Sequence, residues 1–376
     1  MKSGWQTKKL GEVCEVIAGQ SPEGKFYNKE GKGRPFYQGK KEFGRKYINP
    51  PNIWTTQTTK IAVKNDILMS VRAPVGPINY ANEDVCIGRG LAAIRCSSAI
   101  ESDFLFYFLL SLQKKIERRD GAVFDSINKS DIESFTLPLP PLPEQHRIVA
   151  ILDKAFDGIA TAKATAEKNL QNARELFESY LHSIFTQRGE GWTEKGLDQI
   201  STNLDCKRIP ITKSDRTNGE YPYYGASGIV DYVPDYIFEG DMLLISEDGA
   251  NLLARSTPIA FSVSGKYWVN NHAHILKFEN IMTQRFVEFY LNSIKLNKYI
   301  TGAAQPKLNQ KALNSIPIPI PKSIDLLSKF LKSIDTLSIE TKRLESIYKK
   351  KLLALDELKQ SLLHQAFTGQ LSGNVP

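Results

Sequence analysis

Cysteine is scarce in this sequence, with four in 376 residues, and no two of them stand in a C-x-x-C spacing. Scattered singly as Cys14, Cys86, Cys96 and Cys206, they offer neither a zinc knuckle nor a disulfide framework and point to reduced thiols. Long apolar runs are missing too. The longest, "FLFYFLLSL" over Phe104–Leu112, falls far short of the ~18–20 residues that span a bilayer. No basic start leads into an apolar stretch, so a secretory signal is not expected and the protein is expected to be cytoplasmic. A G-x-x-x-x-G-K-[ST] phosphate loop is absent, which argues against ATP hydrolysis by this chain. What is present is 41% hydrophobic residues, enough for a core, and 49 Lys and Arg against 41 Asp and Glu, a net charge of +8. The length allows about two to three domains, and the basic balance favours a polyanionic partner.

Comparison of the sequence with itself exposes a tandem repeat. "GWQTKKLGEV" (Gly4–Val13) returns as "GWTEKGLDQI" (Gly191–Ile200), and "RPFYQG" (Arg34–Gly39) as "YPYYGA" (Tyr221–Ala226). "NDILMSV" (Asn65–Val71) parallels "GDMLLIS" (Gly240–Ser246), and "FLFYFL" (Phe104–Leu109) parallels "FVEFYL" (Phe286–Leu291). "GAVFDSIN" (Gly121–Asn128) parallels "GAAQPKLN" (Gly302–Asn309), "LPLP" (Leu137–Pro140) parallels "IPIP" (Ile318–Pro321), and "SYLHSIFT" (Ser179–Thr186) parallels "SLLHQAFT" (Ser361–Thr368). The spacing between copies varies early and is nearly constant late. Each copy is therefore a variable globular part followed by a helix of preserved length.

Those helices are legible from periodicity. Pro143 and Glu144 suit a first helical turn. Apolar positions then recur at mostly alternating four- and three-residue steps: Ile148, Leu152, Ala155, Ile159, Ala162, Ala166, Leu170, Ala173, Phe177, Tyr180 and Ile184. This is a coiled-coil seam, on a rod of roughly 60 Å. A second seam follows the N-cap candidate Ser323 through Ile324, Leu327, Leu331, Ile334, Leu337, Leu344, Tyr348, Leu355, Leu358 and Leu362. Antiparallel packing of the two rods would bury both stripes. The alternative, each helix covering its own sheet, fits poorly with patterns longer than about 25 residues. Short β-like runs such as "KIAVKNDILMSV" (Lys60–Val71) and "HAHILKF" (His272–Phe278), with helix patterns at Asp103–Glu117 and Arg285–Leu296, make each globular part α+β.

Between Gln20 and Asn49, basic residues interleave with Phe26, Tyr27, Phe36, Tyr37, Phe43 and Tyr47. Cations neutralise phosphates and aromatic rings contact sugars and bases. A solvated loop whose aromatics anchor it to the core explains the stretch equally well. The second copy carries "CKRIPITKSDRTNGEYPYYGASG" (Cys206–Gly228) at the corresponding place with nearly different residues. A scaffold written twice with altered loops is what reading two different sequences requires.

Catalytic motifs do not assemble. "INPPNIW" (Ile48–Trp54) approaches the Asn-Pro-Pro-aromatic motif of amino-methyltransferases but has Asn52 at the aromatic position, and no Gly-rich cofactor loop follows a strand. His272 and His274 share one face of a strand but have no acid or cysteine at a helpful spacing. Glu247 and Asp248 in "ISEDGA" (Ile245–Ala250) lack the acid-x-Lys pairing of a nuclease.

Three stretches carry a family resemblance across essentially the whole chain: "LPLPPLPEQHRIVAILDKAF" (Leu137–Phe156), "LHSIFTQ" (Leu181–Gln187) with its echo "LLHQAFTGQL" (Leu362–Leu371), and the opening Trp5, Leu10 and Gly11. The sequence resembles the specificity subunit of type I restriction-modification enzymes, departing at "PKSIDLLSKF" (Pro321–Phe330), which lacks the Glu-Gln pair of the first copy. The resemblance implies two α/β target-recognition domains joined by two long antiparallel coiled-coil helices in a pseudo-twofold tandem repeat. The implied boundaries are 1–140 for the first domain, 141–188 for the central spacer helix, 189–321 for the second domain and 322–376 for the C-terminal helix. It further implies one half of a bipartite site in double-stranded DNA per domain, with half-sites about one helical turn apart. Two methyltransferase subunits would dock on the helices and motor-nuclease subunits would join the full complex. This chain would be non-catalytic and bind no cofactor, while partners carry S-adenosylmethionine, ATP and Mg. On that reading the DNA contacts expected in the first domain are Lys25, Arg34, Tyr37, Lys40, Arg45, Arg72 and Arg89. In the second they are Lys207, Arg208, Tyr223, Tyr224, Ser227, Arg255 and His272, with Gln305 and Lys307 on the backbone. Two other classes remain as alternatives, a coiled-coil scaffold without DNA specificity and a stand-alone adenine methyltransferase.

Overall fold

The computed structural model describes residues 4–119, 122–123, 126–302 and 304–371. It divides into two compact units, residues 1–166 with 350–376 and residues 167–349. The division passes through both long helices, Leu142–Thr186 and Ile324–Thr368, each an unbroken 45 residues.

Unit 1 is three-layered. Its middle layer is a four-stranded sheet in the order Cys14–Ala18, Leu91–Cys96, Ile67–Ser70, Ile78–Tyr80. The two central strands are mostly apolar, apart from Ser70 and Arg95, because both faces are covered, and their side chains alternate between two cores. Ile67, Met69, Ala92 and Ile94 face the core that holds Phe104, Phe108 and Leu109 of the helix Ser102–Glu117. Leu68, Leu91 and Ala93 face a second core with Tyr37, Val85 and Ile87, supplied by a five-stranded sheet. Within that second sheet the Arg34–Tyr37 strand runs parallel to Val85–Ile87.

Unit 2 repeats the plan. Thr202–Asn203, Ala273–Lys277, Met242–Ser246 and Ala260–Val263 form its four-stranded sheet in the same order of connection. Leu243, Ile245 and Leu276 face the core with Phe286 and Leu291 of the helix Ile281–Ser293, while Leu244 and Ile275 face the other. The parallel pair recurs as Tyr221–Gly225 beside Lys266–Val269. The units differ beyond that pair: unit 2 adds the hairpin strand Gly228–Val233, whereas unit 1 adds Tyr27–Asn28 and Trp54–Thr55.

The proline–aliphatic runs are strands of two-stranded ribbons. Thr136–Leu139 pairs antiparallel with Gln6–Lys9, and Ile318–Pro321 pairs with Trp192–Lys195. A proline has no N–H to give a second neighbour, so it suits a ribbon with one partner.

Each run then feeds a long helix. In unit 1 the start of the central helix is fixed by Gln145, which is fully buried. Its amide oxygen accepts from the Glu101 N–H at 2.8 Å, and its amide nitrogen donates to Pro140 O at 2.8 Å and Ala99 O at 3.2 Å. Ile148 and Leu152 enter the module core, as do Leu363 and Ala366 from the C-terminal helix. Arg147 donates to Leu371 O at 3.2 Å and Lys163 pairs with Asp356, so the two helix segments run antiparallel. In unit 2 Leu181 and Ile184 share a core with Leu327, Leu331 and Ile334. Tyr180 donates to Ser333 Oγ at 2.8 Å and Arg174 pairs with Glu345 at 2.8 Å, again antiparallel. The helices therefore do both things the sequence left open: they pair with each other and also complete the module cores.

The second seam needs correction. Ile324, Leu344 and Leu358 are exposed. The buried line instead passes Leu327, Leu331 and Ile334 to Thr341, then on to Leu363 and Ala366. Thr341 and Glu345, the latter held by Arg174, take the place of Leu344 in its middle, while Leu337, Tyr348 and Leu355 of the expected seam are half-buried.

Candidate nucleic-acid interface

The basic loop of unit 1 is anchored by its aromatics. Phe36 and Tyr37 are buried, the Tyr37 hydroxyl donates to Asn49 O at 2.9 Å, and Tyr27 stacks on Phe36 at 4.9 Å. Burial pushes the Tyr37 phenol well above its ordinary value. Tyr37 is a core residue and is removed from the expected DNA contacts. The cations separate into two groups. Lys25 pairs with Glu23 at 2.5 Å, Arg34 with Asp84 at 3.4 Å and Arg45 with Asp157 at 3.5 Å. Lys40 sits exposed on a short turn, Lys40–Glu42, and Arg72 and Arg89 are exposed at strand ends. Among the described residues, none of these last three has a carboxylate within ion-pair distance.

In unit 2 the expected contacts are partly structural. Tyr223 is fully buried, its hydroxyl accepts from the Ile211 N–H at 3.0 Å, and the Arg216 guanidinium lies 4.5 Å above its ring. It too leaves the interface. Tyr224 is half-buried, with its phenol raised mainly by burial. Arg255 adopts φ +52° just after a helical turn and donates to Leu291 O at 3.3 Å and Ile294 O at 2.6 Å. It satisfies carbonyls at the end of the helix Ile281–Ser293, the role of a C-terminal cation, and its burial lowers its pKa. Arg208 is tied to Glu247 at 2.6 Å and to Ala273 O at 2.8 Å. Lys207, Ser227 and Gln305 are exposed, and Lys307 is exposed while pairing with Glu247 at 3.3 Å. His272 is exposed and donates from Nδ1 to Asp248 at 2.8 Å.

Sequence spacing gave His274 no acidic partner, and the fold supplies two. Its Nδ1 lies 2.5 Å from Asp205 and 3.8 Å from Glu247, and its Nε2 lies 2.7 Å from Leu308 O. These three side chains could in principle surround a cation. Arg208 and Lys307 already balance the carboxylates, so the cluster works as a buried charge network. Burial alone would raise Asp205, but bonds from His274 and the Ile275 N–H, with the nearby Arg208 charge, hold it below its ordinary value. Glu247 is lowered against burial in the same way, by Arg208, His274 and Lys307.

The same backbone frame carries both sites. In unit 1 Ser70 stands opposite Leu91, the Val71 N–H donates to Gly90 O at 3.0 Å, and Arg72 bridges Ser126. In unit 2 Ser246 stands opposite Ala273, the Glu247 N–H donates to His272 O at 2.9 Å, and Asp248 bridges Lys307. Arg72 thus corresponds to Asp248, Arg89 to Asn271 and Gly90 to His272. A Cβ on Gly90 would lie 2.4 Å from Gln38 O, so glycine alone permits that close approach in unit 1. Asn271 escaped the sequence reading, and Asp248 was met there only in the Glu247–Asp248 acid pair, because only the strand register shows that the two stand where unit 1 has its arginines.

Two α+β modules on one plan, with different side chains on equivalent strand ends and a long helix following each, define a tandem-repeat protein. Residues 2–171 and 189–349 match the family model described as Type I restriction modification DNA specificity domain, and the chain belongs to that family. It is 44% identical over 181 residues to a putative type I restriction enzyme MjaX specificity subunit of Methanocaldococcus jannaschii, covering 47% of this chain and 42% of that one. Identity is 33% over 209 residues to a putative type I specificity subunit, S.HindORF215P, of Haemophilus influenzae, covering 51% and 52%. The chain thus spans about half the length of these two relatives. A chain solved in work on complex assembly and conformational transition of the type I R-M system shares the fold over 99% of both chains, with TM-score 0.81 at 17% identity. Among the described residues no helix is long and apolar enough to cross a membrane.

Proposed function

We propose that this chain is the DNA-reading specificity subunit of a type I restriction-modification assembly, each unit recognising one half of a bipartite duplex site. The observation that carries the reading is the repeat itself, one backbone plan with different side chains at equivalent positions, Arg72 and Arg89 against Asp248 and Asn271. Exposed Lys40, Lys207 and Gln305 are the contacts that best fit the phosphate backbone, which positions a protein without specifying sequence. The chain acts in the cytoplasm, performs no chemistry and holds no cofactor. Methyltransferase subunits using S-adenosylmethionine dock on the helices, and ATP- and Mg-dependent motor-nuclease subunits join them. The docking part is supported by exposed apolar residues off the paired seams: Leu176, Ile339 and Ile347 in unit 2, Leu353 and Leu358 in unit 1.

Fluorescence polarisation of the purified assembly on duplex DNA tests this. Binding should weaken steeply as salt rises from about 50 to 200 mM, in proportion to the phosphates contacted. Exchange of residues 1–135 for those of a homologue should change one half of the methylated motif in host cells and leave the other intact. A salt-independent association, or a motif altered in both halves, would favour a protein scaffold or non-independent modules.

A further inference from the structure

Two crevices in unit 1 share Arg72 and Arg89. One, of about 280 Å³, is bounded also by Gln38, Lys40 and Ser70. The other, of about 220 Å³, includes Ala18, Val71 and Ala92 in its lining. In unit 2 the positions equivalent to those three apolar residues are Asp205, Glu247 and His274, which with Arg208 fill the space with a charge network.

We propose that Arg72 and Arg89 are the base-reading pair of unit 1 and that they read guanine, so that its half-site contains a guanine whose N7 and O6 face these guanidiniums. The inference rests on the DNA-reading function proposed above. A guanidinium donates two parallel hydrogen bonds, and guanine presents two acceptors on its major-groove edge, the commonest specific pairing of this kind. Both arginines lie at the ends of neighbouring central strands, joined by the Val71–Gly90 bond, so the sheet fixes their roots. The competing assignment is phosphate, and the second unit argues against it. Phosphate is the same beside every sequence, so a phosphate contact would stay cationic in both modules. Here Arg72 is replaced by Asp248 and Arg89 by Asn271 on the same register. A carboxylate repels phosphate but accepts from a base amino group such as cytosine N4. One position reverses its charge and the other loses it while the frame is kept, so both are reading something that differs between half-sites.

Two measurements decide it. Duplexes carrying 7-deazaguanine, which lacks the N7 acceptor, are bound to the native assembly by polarisation. Substitution at one guanine of the unit 1 half-site should weaken binding about tenfold, and substitution in the gap should change nothing. In host cells, Arg72→Lys and Arg89→Lys keep the charge but lose the bidentate fork. Mapping of methylated adenines should then show the guanine requirement relaxed in that half-site alone. A unit 1 half-site without guanine, insensitivity to 7-deazaguanine at every position, or lysine variants that keep the full motif would overturn the pairing. Failure of the native assembly to bind any duplex would instead overturn the DNA-reading function, and this assignment with it. Should the variants methylate nothing, the deazaguanine result on the native protein decides alone.

Discussion

His274 Nδ1 lies 2.5 Å from Asp205 Oδ2 across 69 residues of sequence, and its other ring nitrogen lies 2.7 Å from Leu308 O. Both ring nitrogens face oxygen atoms, and the ring joins Asp205, just past the edge strand, to the loop that carries Lys307. The ring is 1% exposed. Removing one partner of a buried hydrogen bond leaves the other unsatisfied, at a cost of about 1–3 kcal/mol. His274→Ala and Asp205→Ala should each lower the thermal unfolding midpoint of the chain. The double variant should cost less than the two singles combined, since one change removes the reason for the other. Additive losses in calorimetry would show that the residues do not act as a pair.

The same network sets an acid limit. Asp205 and Glu247 are both held below their ordinary values in the fold. A carboxyl depressed in the folded state contributes stability that is complete above its unfolded pKa, near 4, and is lost as pH falls through the folded value. Urea midpoints should therefore be level from about pH 7 to 5 in respect of these groups and decline below about 4. Asp205→Asn and Glu247→Gln should each start lower and fall less. An unchanged slope in both variants would place the acid sensitivity elsewhere.

Gln145 is the residue of the Pro-Glu-Gln stretch that the fold explains most directly. Its amide serves the Glu101 N–H, Ala99 O and Pro140 O from a fully buried position. Each group left unpaired costs about 1–3 kcal/mol. Gln145→Leu should destabilise by about 3 kcal/mol, and Gln145→Glu by more, because a carboxylate would face two carbonyl oxygens. A glutamate variant as stable as the native protein in thermal melts would contradict this account. In the second copy the helix starts without such an amide, and "SIDLLSKF" (Ser323–Phe330) has no residue to play its part.

The architecture was legible wherever local pattern sets structure. The copies, the two rods and the α+β make-up of each module follow from periodicity and survive into the fold. The side-chain assignments failed where tertiary partners decide. Tyr37 and Tyr223 look like exposed loop aromatics, yet Tyr37 turns into a core formed by strands distant in sequence and Tyr223 is buried beneath Ile211 and Arg216. Arg255 looks like a free loop cation, yet it answers carbonyls 36 and 39 residues away. The seam of the second rod was misplaced at Leu344 because its middle is built from Thr341 and Glu345, polar residues that an apolar count passes over.

If the rods are spacers, their length is a variable that can be changed without touching either recognition module. In unit 1 the helix segments are held by Lys163 with Asp356, and in unit 2 by Arg174 with Glu345. Insertion points between these pairs lie at Ala164–Asn169 in the central helix and between Glu345 and Asp356 in the C-terminal helix. Four residues add about 6 Å of helix, nearly two steps of duplex at about 3.4 Å each. The central seam already contains consecutive four-residue steps at Ala162, Ala166 and Leu170, so one more stutter is compatible with its packing. Matched insertions in both helices should lengthen the unspecified gap of the methylated site by one or two base pairs and leave both half-sequences as they were. Insertion in one helix only should misalign the two ion pairs and reduce methylation. A gap of unchanged length with matched insertions, read by mapping of methylated adenines, would show that something other than the rods sets the distance.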